Sequence, residues 1–116
     1  MASARETLAD VAEQGRRLRE KIPAVYAAYA AQSKAAIDED GVLDPKTRDL
    51  IALAIAVTRQ CDGCIASHAR SVARRGGTAQ EVAEAIGVAI LMNGGPGTVW
   101  GPRAFAAFEE YAAAAG

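Results

Sequence analysis

The chain has 116 residues, of which 51% are apolar and only 5% aromatic, and its 13 basic and 14 acidic residues give a formal net charge of -1. This length predicts one domain over residues 1–116, with a modest core built mainly from alanine, valine, isoleucine and leucine. The balanced charge gives no electrostatic footprint for nucleic acid or an anionic membrane, so neither is an expected partner. No signal peptide or membrane-spanning segment is visible, which predicts a cytoplasmic protein.

Helical periodicity and turn signals divide the chain into predicted helices. They cover residues 2–20, 22–37, 46–60, 61–77, 78–93 and 103–115. Asp44 and Pro45 predict the cap and first turn of the third helix, and Thr78 and Glu81 form a capping-box pattern at the start of the fifth. The segment GGPGTVWGP, residues 94–102, is predicted to be a loop because it is rich in glycine and proline. The fold class is therefore all-α.

The third helix has no polar face between Leu50 and Val57, so it is predicted to be buried on every side. A strand is the rival interpretation there, but the length and the start signal favour a helix. Gly87 in the middle of the fifth helix indicates close packing against a neighbouring helix. The last two helices are predicted to direct these residues inward: Val82, Ala85, Ile86, Ala89, Ile90, Phe105, Phe108 and Tyr111. Since a short chain offers little to cover an all-apolar helix, self-association is expected.

Both cysteines and the only histidine lie in the segment CDGCIASH, residues 61–68. On a helix, Cys64 and His68 are neighbours, and Cys61 lies two turns from His68 on the same face, at the predicted helix start. The backbone N–H groups of a helix start and an adjacent imidazole both favour a thiolate. The two-residue gap also lets the sulfurs reach disulfide distance. One thiolate can then be oxidised to a sulfenic acid and resolved by the other.

Two alternatives to thiol redox chemistry stay open from the residues alone. The three residues could be ordinary parts of a helical core, since a buried cysteine usually behaves as a small hydrophobic residue. They could also hold zinc, although a structural zinc site would need Asp62 or Asp49 as a fourth ligand. Haem attachment requires CxxCH and thioredoxin chemistry requires a βαβ setting, and the sequence has neither pattern.

Some charged residues also have two interpretations. Asp49, twelve residues before Cys61, is either an acid favoured by the helix dipole and paired with Lys46 or Arg48, or a buried carboxylate that relays protons to the thiols. The end of the fourth helix carries further arginines. They indicate either a solvated helix surface or a site for a carboxylate: Arg70, Arg74 and Arg75.

Residues 42–95 resemble the alkylhydroperoxidase D-like branch of the carboxymuconolactone decarboxylase superfamily. The shared pattern is an acid-bearing KTRDLIAL helix, then CxxCxxxH, then a helix introduced by RRGGTAQE. The resemblance implies an orthogonal helical fold of about six helices that assembles as a trimer or hexamer, with the redox site near a subunit interface. It also implies reduction of organic hydroperoxides, a dihydrolipoamide-type thiol reductant and a peroxiredoxin partner, with no cofactor and no metal.

The resemblance also implies a role for each residue of the site. Cys64 becomes the peroxidatic thiol, Cys61 the resolving thiol and His68 the base and proton carrier. Asp49 takes the place of a family glutamate that starts the proton relay, and it is one methylene shorter. Gly63 stands where the full peroxidase carries a second histidine between the cysteines. The helix start favours Cys61 as the more acidic thiol, but we follow the resemblance because peroxide attack needs a proton donor beside the sulfur.

The expected function is therefore that of a thiol-dependent peroxidase and disulfide oxidoreductase with an antioxidant role. One alternative is a decarboxylase-like lyase acting on a ring-cleavage lactone, against which the thiol pair counts. The other is a non-catalytic, zinc-binding oligomeric module.

Overall fold

The computed structural model describes residues 2–115. These residues form helices α1 (Ala4–Lys21), α2 (Pro23–Ser33), α3 (Pro45–Arg59), α4 (Asp62–Arg74), α5 (Ala79–Asn93) and α6 (Gly95–Ala115), with a π-helical turn (Lys34–Asp38) after α2. No strand occurs within the described range. The prediction of an all-α fold with about six helices is confirmed.

The helix starts follow from short polar side chains at the caps. Asp44 accepts a hydrogen bond from the backbone N–H of Thr47 at 2.7 Å and so begins α3 as predicted. The predicted capping box of α5 is also present, because Thr78 accepts from the N–H of Glu81 while the Glu81 side chain accepts from the N–H of Thr78. These bonds satisfy backbone donors that have no partner within the helix.

The core lies where α3, α4, α5 and α6 pack against one another. Its fully buried side chains include Leu53 and Val57 from α3, Val72 from α4 and Val82 from α5. Helix α1 packs on α4, whereas α2 contacts α1 and the π-helical turn and contributes no buried residue. None of the helices within residues 2–115 is long and apolar enough to cross a membrane.

The predicted loop over residues 94–102 is wrong, because α6 already begins at Gly95 and includes Pro102. Gly94 still ends α5 with a positive φ of 69°, whereas Gly97 and Gly101 lie in close helix contacts. A Cβ on Gly97 would lie 2.9 Å from the Cα of Ile90, so only glycine lets α5 pass this close. Pro102 is tolerated because it lies on the exposed side of α6 with Thr98, whose carbonyl loses its helical partner and can be solvated by water.

The prediction that α3 is buried on every side is wrong for the single chain. Ile51 is 47% exposed and Ile55 is 53% exposed. Gly87 does not mark a close helix contact, since a Cβ there would meet nothing within 4 Å. Exposed apolar side chains of two helices instead form what we call the α3–α5 face: Ile51, Ile55, Val88, Leu91 and Met92.

Candidate redox site

The cysteine pair lies at the start of α4. Gln60 adopts a left-handed conformation with φ of 54° and ends α3, so that Cys61 becomes the N-cap of α4. The Sγ of Cys61 accepts a hydrogen bond from the backbone N–H of Cys64 at 3.2 Å, and a disulfide joins the two residues. Cys64 is exposed and Cys61 is partly buried. The predicted helix-start position of Cys61 is thus present, with its sulfur facing unpaired N–H groups.

His68 lies one turn beyond Cys64 on α4 and is held by α3. Its Nδ1 is 2.9 Å from the Oδ1 of Asp49. Because a carboxylate accepts hydrogen bonds, this contact fits an imidazole that carries a hydrogen on Nδ1, which in the neutral ring leaves the lone pair on Nε2. The His68 side chain is 26% exposed, whereas that of Asp49 is 2% exposed. The pair is therefore a buried carboxylate that fixes the orientation of a partly exposed imidazole.

Arg75 occupies the second oxygen of the same carboxylate. Its Nε donates to the Oδ2 of Asp49 at 2.8 Å, and its Nη2 donates to Asp38 at the end of the π-helical turn. The guanidinium compensates the negative charge of an almost fully buried acid, whose unpaired burial would be costly. Arg75 follows α4, so its guanidinium joins the end of this helix to Asp49 on α3 and to Asp38 at the end of the π-helical turn.

Asp49 does not pair with Lys46 or Arg48, as one interpretation of the sequence had it. The Nζ of Lys46 contacts Glu81 at 2.8 Å and links α3 to the start of α5. This hydrogen bond raises the pKa of Lys46 above its ordinary value of 10.5 and lowers the pKa of Glu81 below its ordinary value of 4.5. Arg48 instead donates to backbone carbonyls between α2 and α3, at Ile37 and Glu39.

The predicted site residues therefore fall into two hydrogen-bonded groups. Cys61 and Cys64 form one, and His68 and Asp49 form the other. Within residues 2–115, neither His68 nor Asp49 makes a hydrogen bond to a cysteine sulfur. The two groups are connected through α4, which carries Cys64 and His68 four residues apart. Sequence reasoning did not find Arg75 as the partner of Asp49, since 26 residues separate them and no local pattern joins them.

The donors do not form a metal centre in this arrangement. Among the residues described, no group of three or more histidine, cysteine, aspartate or glutamate side chains is placed to hold a metal ion. Asp62, a candidate fourth zinc ligand, accepts a hydrogen bond from the N–H of Gly63 at 2.6 Å. Asp49, the other candidate, is already engaged by His68 and Arg75.

Comparison with known proteins agrees with this architecture. Residues 23–110 match the carboxymuconolactone decarboxylase family. An uncharacterised protein of Cupriavidus necator is 34% identical over 102 residues, which cover 88% of this chain and 89% of that protein. Uncharacterised protein 4 in the cox locus of Paracoccus denitrificans is 39% identical over 83 residues, or 72% of this chain and 74% of that protein.

A solved structure is similar over nearly the whole chain. It is the crystal structure of apo-lpg0406, a carboxymuconolactone decarboxylase family protein from Legionella pneumophila, with a TM-score of 0.89 and 35% sequence identity. The superposition covers 94% of this chain and 96% of that one. On the match of residues 23–110 and on this structural likeness, the chain belongs to the carboxymuconolactone decarboxylase family.

Proposed function

We propose that the chain is a thiol-dependent peroxidase that reduces organic hydroperoxides through the Cys61–Cys64 pair. The observation that carries the proposal is a disulfide in the first turn of α4, with the His68–Asp49 pair one turn further along. A cysteine pair that closes into a disulfide within one helical turn suits a two-electron redox cycle. An oriented histidine on the same helix suits the proton transfers that the cycle requires.

In the first half of the cycle, His68 takes the proton of the reduced Cys64 thiol at Nε2. The Cys64 thiolate attacks the terminal oxygen of the hydroperoxide, an S–O bond forms and the O–O bond breaks. The alkoxide leaves with the proton from His68 as an alcohol. The peroxide is thereby reduced by two electrons, and Cys64 becomes a sulfenic acid.

In the second half, the Cys61 thiol attacks the sulfur of the Cys64 sulfenic acid. The S–O bond breaks, and hydroxide leaves as water with the proton of Cys61. A dithiol reductant of the dihydrolipoamide type then exchanges with the disulfide, becomes a disulfide itself and returns Cys61 and Cys64 to thiols. In that dithiol form the pair can alternatively pass its two electrons to the disulfide of a peroxiredoxin partner. Cys64 is exposed, which supports attack by an external thiolate on that sulfur.

Asp49 and Arg75 act through His68 in this proposal. Asp49 fixes the imidazole with its hydrogen on Nδ1, and Arg75 holds the carboxylate in place from the opposite oxygen. Asp49 also stabilises the imidazolium that forms while His68 carries the proton. Neither residue needs to touch the sulfurs for this role.

We further propose that the protein works as a homo-oligomer, a trimer or hexamer, with the α3–α5 face as its contact surface. A second copy of the chain is the occupant that fits best, because the face is apolar over two helices and forms a groove of about 490 Å³. Contiguous exposed apolar surface of this kind marks an interaction site.

Cysteine variants test the peroxidase proposal. Cys64→Ser should abolish consumption of an organic hydroperoxide in the presence of a dithiol, because it removes the attacking sulfur. Cys61→Ser should leave a sulfenic acid on Cys64, which dimedone labels and mass spectrometry detects. Ser67→Ala, on the same helix and outside the cysteine pair, should turn over like the unmodified protein.

Full peroxide turnover by both cysteine variants would rule the mechanism out. Lactone decarboxylation that survives in the double variant Cys61→Ser, Cys64→Ser would favour the lyase alternative. One zinc per chain in protein purified without chelator would favour the zinc-binding alternative.

A further inference from the structure

A cleft distinct from the groove of the α3–α5 face lies against α4. It has a volume of about 590 Å³ and opens between α1, α4 and the end of α6. We call it the arginine cleft, and its lining includes Arg5, Leu8, Ala9, Arg70, Arg74 and Tyr111. Neither the cysteines nor His68 line it. Any function of this cleft is therefore separate from the proposed peroxidase activity.

The charged side chains that line the arginine cleft are all positive. Three guanidinium groups line it, and no acidic side chain does so among the described residues. The nearest carboxylate in contact with them is Glu110, whose Oε2 is 3.9 Å from the Nε of Arg5. Glu110 is already used at the start of α1, where it accepts hydrogen bonds from the N–H groups of Ala4 and Arg5.

Arg70 gives the strongest indication of a ligand. Its Nε is buried and has no hydrogen-bond partner within residues 2–115. A buried donor without a partner is rare in native proteins, because it has lost its contact with water and gained nothing in return. The guanidinium is thus fixed against the protein on its Nε side. Its terminal nitrogens make no hydrogen bond within residues 2–115 and are not buried, so they are available as donors where Arg70 lines the cleft. The anion site that the sequence left open as an alternative would engage them.

The other two arginines are placed to complete such a site. Arg74 follows Arg70 by one helical turn, so the two positive charges face the same side of α4 and repel each other. The guanidinium of Arg5 lies 5.3 Å from the centre of the Tyr111 ring, which holds it against the wall of the cleft. An anion between them would relieve the repulsion and accept hydrogen bonds from planar, pre-organised donors.

We propose that the arginine cleft binds a small oxyanion, the carboxylate or phosphate group of a metabolite. Arg70 would donate through its terminal nitrogens, and Arg74 and Arg5 would close the positive ring around the group. The apolar wall of Leu8 and Ala9 leaves room for an aliphatic portion of the same ligand. The ligand would link α1 to α4 and α6, and so hold the first helix against the core.

Calorimetric titration with inorganic phosphate and, separately, with succinate tests the proposal at constant ionic strength set by sodium chloride. We expect saturable binding of one of the two anions, which identifies the head group. Arg70→Lys keeps the charge and removes the planar pair of terminal donors, so it should weaken binding at least about tenfold. Arg74→Gln should also weaken binding at least about tenfold. Arg19→Gln, further along α1 and outside the cleft, should bind like the unmodified protein.

Two results would overturn the proposal. One is the absence of saturable binding of either anion with a Kd below about 10 mM. The other is equal affinity in the unmodified protein, Arg70→Lys and Arg74→Gln, since that result places the anion elsewhere. If Arg70→Lys fails to fold, the Arg74→Gln variant tests the proposal on its own. The side chain of Arg74 is exposed, so replacing it leaves no buried gap.

Discussion

Asp49 is the residue that connects His68 with Arg75 in the candidate site. Its side chain is almost fully buried, and both of its oxygens are used, one by His68 and the other by Arg75. A buried carboxylate with two charged or chargeable partners is energetically acceptable only while both contacts hold. The same residue therefore affects both the stability of the fold and the orientation of the proposed base.

Asp49→Asn removes the charge of this residue and keeps its shape, so it tests the contribution of the charge. The amide keeps the volume, but its NH2 group faces the donor of either His68 or Arg75, so one hydrogen bond is lost. We expect the peroxide-dependent rate to fall about 100-fold, in the range typical of acid–base contributions. We expect the free energy of unfolding to fall by about 1–3 kcal/mol. Steady-state kinetics and urea unfolding measure the two effects.

Asp62→Asn is the matched control, because Asp62 is an exposed carboxylate between the cysteines and outside the His68 network. It should change neither the peroxide-dependent rate nor the free energy of unfolding appreciably. Equal turnover in Asp49→Asn and the unmodified protein would remove Asp49 from the mechanism.

Gly63 offers a test of the second histidine that the resemblance to the alkylhydroperoxidase D-like branch implies between the cysteines. A Cβ at this position would meet only the Cγ2 of Val11, at an ordinary distance of 3.5 Å. Gly63→His therefore fits the backbone and restores an imidazole between the cysteines. We expect the rate of peroxide reduction to rise about tenfold, because a second group can then carry protons to the sulfurs.

Gly63→Ala controls for the change in helix propensity alone. It should raise the melting temperature slightly and leave the rate unchanged. A rate increase of the same size in Gly63→Ala and Gly63→His would show that the imidazole plays no part.

At the scale of the helices, the sequence was most informative where the signal was local. The caps at Asp44 and Thr78 depend on residues three positions away, so the sequence alone predicted them. Arg75 could not be assigned to Asp49 in this way, because their contact depends on how α3 and α4 pack. The loop prediction around Gly97 was wrong for the same reason. This glycine suggested a turn, but it lies in a close contact between α6 and α5.

The contact between Lys46 and Glu81 links α3 to α5 and should make their packing dependent on pH. Lys46 lowers the pKa of Glu81 below 4.5, so the stabilisation is present above pH 4.5 and is lost as the pH falls through the pKa of the folded state. Glu81 raises the pKa of Lys46 above 10.5, so the same stabilisation is lost as the pH rises beyond that value.

Glu81→Gln should remove this dependence while keeping the capping box, in which glutamine can replace glutamate. At neutral pH the variant should be less stable than the unmodified protein to urea. The difference between the two should shrink as the pH falls below 4.5. Glu84→Gln, one turn along α5 and bonded to Gln80, is the control and should show no such trend. A stability difference for Glu81→Gln that stays constant across this range would contradict the assignment.

At the scale of the whole molecule, the single chain leaves much apolar surface uncovered. Helix α2 contributes nothing to the core, with Val25 and Tyr29 more than half exposed. Helix α3 lacks a polar face in sequence, and its burial is incomplete at Ile51 and Ile55. Full burial of α3 is thus not reached within one chain, for which self-association was predicted to supply the remaining cover. The proposed assembly would supply the missing cover.

Ile55→Glu should therefore break the proposed assembly without unfolding the chain. Ile55 is 53% exposed in the single chain, so the carboxylate can stay solvated in the monomer but not beneath a second copy. We expect the unmodified protein to sediment as a trimer or hexamer and Ile55→Glu as a monomer with unchanged helix content. Val42→Glu makes the same change at an exposed apolar residue outside the α3–α5 face and should leave the assembly intact. A monomeric unmodified protein at micromolar concentration, or an intact oligomer in Ile55→Glu, would show that this face has another role.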